Sequence, residues 1–152
     1  MGVAPPERGG RIPEGAYTVS RAVDGDTLLL TNGQRVRLLG VDTPETVKPN
    51  TPVEPFGPEA SAYTKQALAE YGNRVYLRLD RERTDKFGRT LAFVYLGESD
   101  APPARLLNEE LVQAGLGRAL LSFNYSAPMK RRLAKAQADA KANRRGIWSL
   151  AE

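Results

Sequence analysis

The sequence predicts an α+β fold that is mainly β, in which five short strands form a small barrel and three helices are inserted in it or appended to it. Three observations support this prediction. Short runs of apolar residues, typical of strands, recur through the first two thirds of the chain. Asp-Gly and Asn-Gly dipeptides separate the first of these runs, and such dipeptides are strong hairpin signals. Three longer segments carry apolar residues at helical spacing.

The first three strands are predicted within residues 16–42, AYTVSRAVDGDTLLLTNGQRVRLLGVD. The turn around Asp24-Gly25 separates the first two strands, and the turn around Asn32-Gly33 separates the next two. Residues 46–57 carry three prolines and are predicted to form a surface loop.

A helix is predicted to begin at Pro58, since proline is suited to the first turn, and to be closed by Gly72. The alternating residues 74–80 predict the fourth strand, and the apolar residues 91–96 predict the fifth. Between them, residues 81–90 form a charged turn.

The last two helices are predicted at residues 104–115, ending with Gly115, and at residues 127–146, which are basic on one face. Residues 1–14 are rich in Pro, Gly and Arg, so we expect a flexible N-terminal tail there. A single domain is then expected over residues 15–150, because 152 residues suffice for one domain with its own core.

The composition restricts the chemistry. The chain has 22 Lys and Arg against 18 Asp and Glu, a net charge of +4, which favours a polyanionic partner. Arginine supplies far more of this positive charge than lysine, which mildly favours contact with phosphate. A GC-rich genome or a heat-adapted host explains the arginine bias equally well. Cysteine and histidine are absent, which excludes disulfides, thiolate and histidine metal sites and a histidine general base. Any catalysis must use carboxylates, arginines, tyrosines, lysines or a hard metal ion. No apolar segment predicts a signal peptide or a membrane span.

Two acidic residues stand at predicted strand ends. Asp26 closes the first hairpin turn, and Asp42 follows the third strand. Since strand ends lie close together in a small barrel, these carboxylates are expected to meet, and their oxygens suit Ca²⁺ or Mg²⁺. Glu45, held by Pro44, could reach the same place. The alternative is that each acid is an ordinary turn residue, which is the commoner case for a single motif.

Two arginines stand near the same strand ends. Arg37 lies in the strand that leads to Asp42, and Arg89 ends the charged turn before the last strand. A phosphodiester under attack gains negative charge on its oxygens, and guanidinium groups together with a metal ion stabilise that charge. The alternative for each arginine is a surface salt bridge.

Six motifs occur in order between about Tyr17 and Ser149: VDGDT, RLLGVDTPET, GPEASAYTK, RTDKFGR, NEELVQAGL and GIWS. With these motifs the chain resembles the thermonuclease family, the staphylococcal-nuclease-like proteins. The resemblance implies a five-stranded OB-type barrel with three helices. It also implies Ca²⁺-dependent endo- and exonuclease hydrolysis of DNA and RNA, with little sugar or sequence specificity and with 3′-phosphate ends.

The resemblance also assigns roles to residues of this chain. Asp26 and Asp42 resemble the calcium-binding carboxylates, and Thr43 resembles the residue that offers a backbone carbonyl to the ion. Glu45 is similar to the acid proposed as general base or as positioner of the attacking water. The phosphate-binding pair corresponds to two further residues, Arg37 and Arg89.

The chain departs from the family pattern at the substrate side of the site. Phe87 stands where the family usually has a tyrosine that contacts phosphate, so one hydrogen bond is lost while stacking is kept. Lys86 is retained and could contact a terminal phosphate. Lys48 is the single lysine of a loop in which relatives often have several, so a weaker electrostatic grip is expected. Phe123 and Tyr125 are the candidates for nucleobase stacking, with packing under the third helix as the alternative.

The resulting prediction is an active nuclease that works as a monomer on DNA and RNA, with single-stranded or frayed regions preferred. No membrane association or obligate protein partner is expected, and the resemblance favours a secreted or extracytoplasmic protein. The first alternative is a noncatalytic OB-type nucleic-acid-binding domain, and the second is a protein-interaction domain with a large exposed apolar patch. The presence of all the matching acids and arginines favours the enzyme.

Overall fold

A computed structural model of the chain describes residues 12–46, 50 and 52–150. Most of the predicted tail, together with Lys48, therefore lies outside the described residues. Ile12 is buried in the core, and the side chain of Glu14 accepts a hydrogen bond from Leu79 N at 2.8 Å. The predicted boundaries of the tail and of the domain stay predictions.

Five of the strands form a closed barrel in the order β1-β2-β3-β6-β5, which confirms the predicted barrel. The strands of the described chain are β1 (Gly15–Asp24), β2 (Thr27–Leu30), β3 (Arg35–Leu38), β4 (Val41–Asp42), β5 (Arg74–Arg78), β6 (Thr90–Leu96) and β7 (Arg118–Ala119).

The barrel contains two hairpins and one parallel contact. Strand β2 pairs antiparallel with both β1 and β3 through the two predicted turns. Strand β5 pairs antiparallel with β1 and β6, and the parallel pairing of β3 with β6 closes the ring. In that last pair Arg37 lies opposite Leu91, so the end of β3 lies beside the turn that precedes β6.

A second sheet consists of the two short strands β4 and β7, in which Val41 pairs with Ala119 and Asp42 with Arg118. The sequence did not predict this sheet. Each strand has only two residues, too few to show an alternating pattern. Its place next to the end of β3 positions Asp42.

Three helices accompany the barrel, as predicted: α1 (Gly57–Ala69), α2 (Leu107–Gln113) and α3 (Ala127–Ala142), with a short 3₁₀ helix at Gly146–Ser149. Helix α2 begins later than predicted because Leu96 N donates a hydrogen bond to Arg105 O, which keeps that residue extended beside β6. Helix α3 ends earlier because Arg144 has a φ of 51°, a left-handed conformation that stops a helix. None of the helices in the described ranges is long and apolar enough to span a bilayer.

The core fills the barrel and the space beneath α2 and α3. Apolar residues that alternate along the strands point inward and are almost completely buried. Those of the barrel include Val19, Leu28, Leu30, Val36, Leu38, Val75, Leu77 and Val94.

Candidate functional site

The turn between β1 and β2, residues 24–26, is packed tightly against α1. A Cβ atom added to Gly25 would lie 2.9 Å from Ala60 Cβ and 2.9 Å from Thr43 Oγ1, so only glycine fits there. Thr64 Oγ1 donates a hydrogen bond to Gly25 O at 2.7 Å. Helix α1 therefore fixes the turn that carries Asp26.

The carboxylates of Asp26 and Asp42 meet on one guanidinium group. Arg37 Nη2 lies 3.3 Å from Asp26 Oδ2 and 3.2 Å from Asp42 Oδ1. Thr43 N donates a hydrogen bond to Asp26 Oδ2 at 3.0 Å, which ties the segment after β4 to the β1–β2 turn. The structure thus places these four residues in one cluster.

Backbone carbonyls also hold Arg37 in place. Its Nη1 donates to Leu38 O at 2.9 Å and to Val41 O at 2.5 Å, and its side chain is only 16% exposed. Both terminal nitrogens of Arg37 are therefore engaged within the chain. The guanidinium group is a fixed part of the site.

Asp24 is a buried acid that the sequence analysis did not select, although it is the first residue of the same Asp-Gly-Asp turn. Its Oδ1 accepts hydrogen bonds from Gly25 N at 2.8 Å and from Thr46 Oγ1 at 3.0 Å. Desolvation raises the pKa of the Asp24 carboxyl, and these hydrogen bonds oppose the rise. Desolvation by surrounding protein atoms also raises the pKa of Asp42, against the influence of Arg37, but 57% exposure of the Asp42 side chain limits the effect.

The donor set fits a hard cation in its chemistry. Asp26 and Asp42 already share one positive group, and Thr43 Oγ1 is buried with no hydrogen-bond partner among the described residues. All of these donors are oxygens, the type that Ca²⁺ and Mg²⁺ prefer. Within the ranges that the structure covers, no three acidic side chains are arranged around a metal position. Backbone oxygen, water or substrate would have to complete the coordination shell.

Glu45 is half-buried just after this cluster, and its backbone is fixed by Glu54. Glu45 N donates to Glu54 Oε1 at 2.7 Å, and Glu54 N donates to Glu45 O at 3.0 Å. This pair of hydrogen bonds holds the chain on the far side of Pro44, three residues beyond Asp42.

A cavity of about 480 Å³ opens beside Arg37. Its walls are the end of β3, the charged turn before β6, and residues 120–124 after β7. The predicted substrate-side residues come together here, and Arg37 connects the cavity to the two carboxylates. Those lining the cavity are Arg37, Lys86, Phe87, Arg89 and Phe123.

Asp85, which the sequence analysis also missed, fixes the geometry of Arg89. Asp85 Oδ2 accepts a hydrogen bond from Arg89 Nε at 2.7 Å, while its Oδ1 accepts from Phe87 N and Arg89 N, both at 2.9 Å. The guanidinium carbon of Arg89 lies 5.3 Å from the centre of the Phe87 ring. An acid that opens a tight turn is the sequence signal for this role.

The two aromatic candidates after β7 have different environments, because Phe123 lines the cavity and Tyr125 does not. Phe123 is 50% exposed, whereas Tyr125 is 1% exposed. The Tyr125 ring contacts Phe93 edge-on, and its hydroxyl donates to Leu120 O at 2.8 Å. Burial raises the pKa of Tyr125 to about 12. The expectation that Tyr125 stacks on a nucleobase is therefore corrected, because the ring belongs to the core.

Comparison with known proteins gives a consistent result. The family profile described as staphylococcal nuclease homologue matches residues 35–150. A thermonuclease of Staphylococcus hyicus is 42% identical over 139 residues, covering 90% of this chain and 77% of that protein. A thermonuclease of Staphylococcus intermedius is 46% identical over 138 residues, covering 88% and 76% of the two chains. Endonuclease YncB of Bacillus subtilis is 35% identical over 136 residues, covering 87% of this chain and 61% of that protein.

Proposed function

The chain belongs to the staphylococcal nuclease family, and from that premise we propose that it is a Ca²⁺-dependent nuclease that hydrolyses phosphodiester bonds of DNA and RNA. The observation that carries the proposal is the position of Arg37, whose guanidinium group contacts Asp26 and Asp42 and also lines the cavity. Such an arrangement puts oxygen donors for a cation directly beside a space for a phosphate. We expect little sugar or sequence specificity and products with 3′-phosphate ends, as the family resemblance implies.

Asp26 and Asp42 would hold the calcium ion with their carboxylates, and Thr43 with its backbone carbonyl. When bound, the ion would polarise a phosphate oxygen and offset the charge that develops there. The packing of Gly25 against α1 supports this role, because it leaves Asp26 little freedom to move away.

Arg89 would bind the phosphate with its two terminal nitrogens. Its Nε is held by Asp85, and the terminal nitrogens make no hydrogen bond within the described residues. A planar fork of this kind can donate two parallel hydrogen bonds to two phosphate oxygens. Because Asp85 fixes the fork beforehand, it can stabilise the charge of the transition state at little cost of reorganisation.

Glu45 would accept a proton from the attacking water, or orient that water. An ordinary glutamate is ionised at neutral pH, so it can act as a base in a chain that has no histidine. The hydrogen bonds with Glu54 support this role, since they hold the Glu45 backbone at a fixed distance from Asp42.

Phe87 and Phe123 would contact the bases of the substrate. Both residues line the cavity, and they are 71% and 50% exposed. Aromatic rings stack on any unpaired base, so we infer a preference for single-stranded or frayed nucleic acid with little dependence on sequence. Lys86 lines the same cavity and could contact a terminal phosphate.

The proposal is tested by incubating the protein with a labelled oligonucleotide in calcium and in excess chelator. We expect cleavage only with calcium, and a fall in turnover of roughly 10²-fold or more for Glu45→Gln. Glu59→Gln is the matched control, because Glu59 is an exposed acid in the first turn of α1. Binding of the oligonucleotide without any cleavage would instead identify a noncatalytic binding domain.

The metal ligands are tested separately by calorimetric titration with calcium. Asp42→Ala should weaken or abolish calcium binding, whereas Asp100→Ala, which removes an acid paired with Arg78 away from the site, should not. Unchanged calcium affinity in Asp42→Ala would remove Asp42 from the ligand set.

A further inference from the structure

Two cations converge on the single tryptophan of the chain. The guanidinium carbon of Arg118 lies 5.3 Å from the centre of the Trp148 ring, and Lys141 Nζ lies 4.8 Å from it. Arg118 belongs to β7, Lys141 to the last turn of α3, and Trp148 to the 3₁₀ helix. We call the two cations, Arg118 and Lys141, the indole cation pair.

Neither cation of the indole cation pair forms a salt bridge within the described residues. Two other arginines of the chain differ in this respect, since Arg132 is paired with Glu109 and Arg145 with Asp139. Both cations of the pair belong to exposed residues. Two like charges held on one ring repel each other, and a bound anion would offset that repulsion.

The indole cation pair lies beside the proposed metal ligands. Arg118 is the residue opposite Asp42 in the β4–β7 ladder. Side chains of directly opposed residues project from the same face of a sheet, with Cβ atoms roughly 4.5–5.5 Å apart. The neighbouring Gly117 packs closely on β4, since an added Cβ would lie 2.8 Å from Val41 Cγ1. The position of Arg118 relative to Asp42 is therefore fixed.

The same segment connects the pair to the cavity. After Arg118 the chain continues to Leu120, whose N donates to Gly40 O at 2.8 Å, and then to Phe123. Leu120, Gly40 and Phe123 all line the cavity. A strand of nucleic acid that occupies the cavity and crosses Asp42 would therefore meet the indole cation pair next.

We propose that the indole cation pair is a second phosphate site, which binds a backbone phosphate of a nucleic-acid strand extending beyond the reaction centre. The proposal rests on the proposed nuclease function and adds a contact outside the cavity. This contact would be independent of the nucleotide sequence, because both cations would contact phosphate and neither would contact a base edge. Its consequence is that long substrates bind more tightly than short ones.

Trp148 makes the site directly observable, because all tryptophan emission comes from it. Single-stranded oligonucleotides of about two and about ten nucleotides are titrated in calcium-free buffer with chelator, so that they stay intact. We expect the longer oligonucleotide to change the emission and to bind more tightly. Arg118→Gln and Lys141→Gln should each weaken binding of the longer oligonucleotide several-fold. Each should also reduce the slope of the logarithm of affinity against the logarithm of salt concentration by about one, the loss expected for one phosphate contact. Binding of the short oligonucleotide should be unchanged.

Lys135→Gln is the matched control, because Lys135 is an exposed cation of the same helix outside the pair, and it should leave binding and emission as in the parent. Thermal unfolding checks that each variant is folded. If Arg118→Gln is not folded, the second site is tested with Lys141→Gln and with Arg118→Lys, which retains the charge. Parental affinity and salt dependence in the folded glutamine variants would overturn the second site. If the parent still cleaves the short oligonucleotide with calcium, the proposed function survives that result. A parent that neither binds nor cleaves would overturn both.

Discussion

Arg37 and Arg89 border one cavity but are held by different partners. Both terminal nitrogens of Arg37 are engaged by carbonyls and carboxylates of the chain. In the side chain of Arg89, Nε alone forms a hydrogen bond within the part of the chain that the structure describes, and its partner is Asp85. The sequence treats the two arginines alike, as cations near strand ends. The structure separates them: Arg37 is held on both terminal nitrogens, while the terminal nitrogens of Arg89 have no hydrogen bond among the described residues.

Replacing either arginine with lysine keeps the net charge but removes the planar fork. We expect Arg89→Lys and Arg37→Lys to retain most of the DNA affinity in calcium-free buffer. Each should lower the turnover rate by roughly 10²-fold or more, the loss typical of one preorganised electrostatic contact. Arg37→Lys should also lower the free energy of unfolding by about 1–3 kcal/mol, because buried acceptors lose their donor.

The measurement is single-turnover cleavage of a labelled oligonucleotide at saturating enzyme and calcium. Arg131→Lys is the control, since Arg131 is exposed on α3. Rates near that of the parent in both lysine variants would mean that the arginines are ordinary surface charges.

Phe87 lines the cavity at the position where the resemblance implies a tyrosine. Its ring is 71% exposed and lies 5.2 Å from Lys86 Nζ and 5.3 Å from the guanidinium carbon of Arg89. Phe87→Tyr should keep the ring and add a hydroxyl that can donate to phosphate. We expect a 3′,5′-bisphosphate nucleotide to bind more tightly by about 1 kcal/mol in a calorimetric titration. Weaker or equal binding would show that the hydroxyl added by Phe87→Tyr does not reach the phosphate.

At the scale of elements, one ionic network joins α1 to α2. Arg105 donates from Nε and Nη2 to the carboxylate of Glu110 and from Nη1 to Glu70, each at 2.7 Å. Tyr63 Oη donates to Glu110 at 2.8 Å. Burial raises the pKa of the Glu110 carboxyl, but the bonds from Arg105 and Tyr63 lower it by more, so the net shift is downward. The network thus favours the ionised carboxylate.

The lowered pKa makes the stability supplied by Glu110 dependent on pH. A carboxyl with a lowered pKa in the folded state stabilises the fold above its unfolded pKa, near 4.5, and loses this contribution as the pH falls through the folded value. At neutral pH we expect Glu110→Gln to lower the free energy of unfolding by about 1–2 kcal/mol. The difference from the parent should shrink below the unfolded pKa.

Urea unfolding of both proteins between neutral and acid pH measures this difference. Glu98→Gln is the control, because Glu98 also forms a two-bond pair, with Arg74, but is exposed, so its effect should be much smaller. A difference that stays constant down to low pH would contradict the assignment.

The sequence predicted those elements that depend on local signals. The turn at Asp24-Gly25 and the helix beginning near Pro58 lie where dipeptide and proline signals placed them. The strands β4 and β7 could not be predicted, since their pairing depends on tertiary contacts of two residues each. The same limit applies to Tyr125, which is two positions from Phe123 in an irregular segment without periodicity, so the sequence could not show that only one ring is buried.

At the scale of the whole molecule, Asn108 ties α2 to the barrel and to the wall of the cavity. Its side chain is completely buried; Oδ1 accepts from Val94 N at 2.8 Å, and Nδ2 donates to Leu39 O at 2.8 Å and to Ala92 O at 3.3 Å. Val94 and Ala92 belong to β6, while Leu39 lines the cavity. One amide thus satisfies three buried backbone groups in segments that are distant in sequence.

Asn108→Ala should therefore destabilise the whole fold and not one element. Alanine leaves Val94 N and Leu39 O without this partner, whereas Ala92 O still accepts a hydrogen bond from Leu39 N at 2.9 Å. Each lost bond costs about 1–3 kcal/mol when water cannot enter. Since the losses overlap, we expect the free energy of unfolding to fall by about 2–4 kcal/mol and Tm to fall by roughly 5–15 °C.

The matched control is Asn143→Ala, which removes an exposed amide bonded to Asp139 O at 2.9 Å and should change Tm little. Calorimetric and circular-dichroism melting curves should shift together for Asn108→Ala, because the barrel and α2 lose the same residue. A parental Tm, or loss of helical signal before the barrel unfolds, would show that Asn108 does not couple the two.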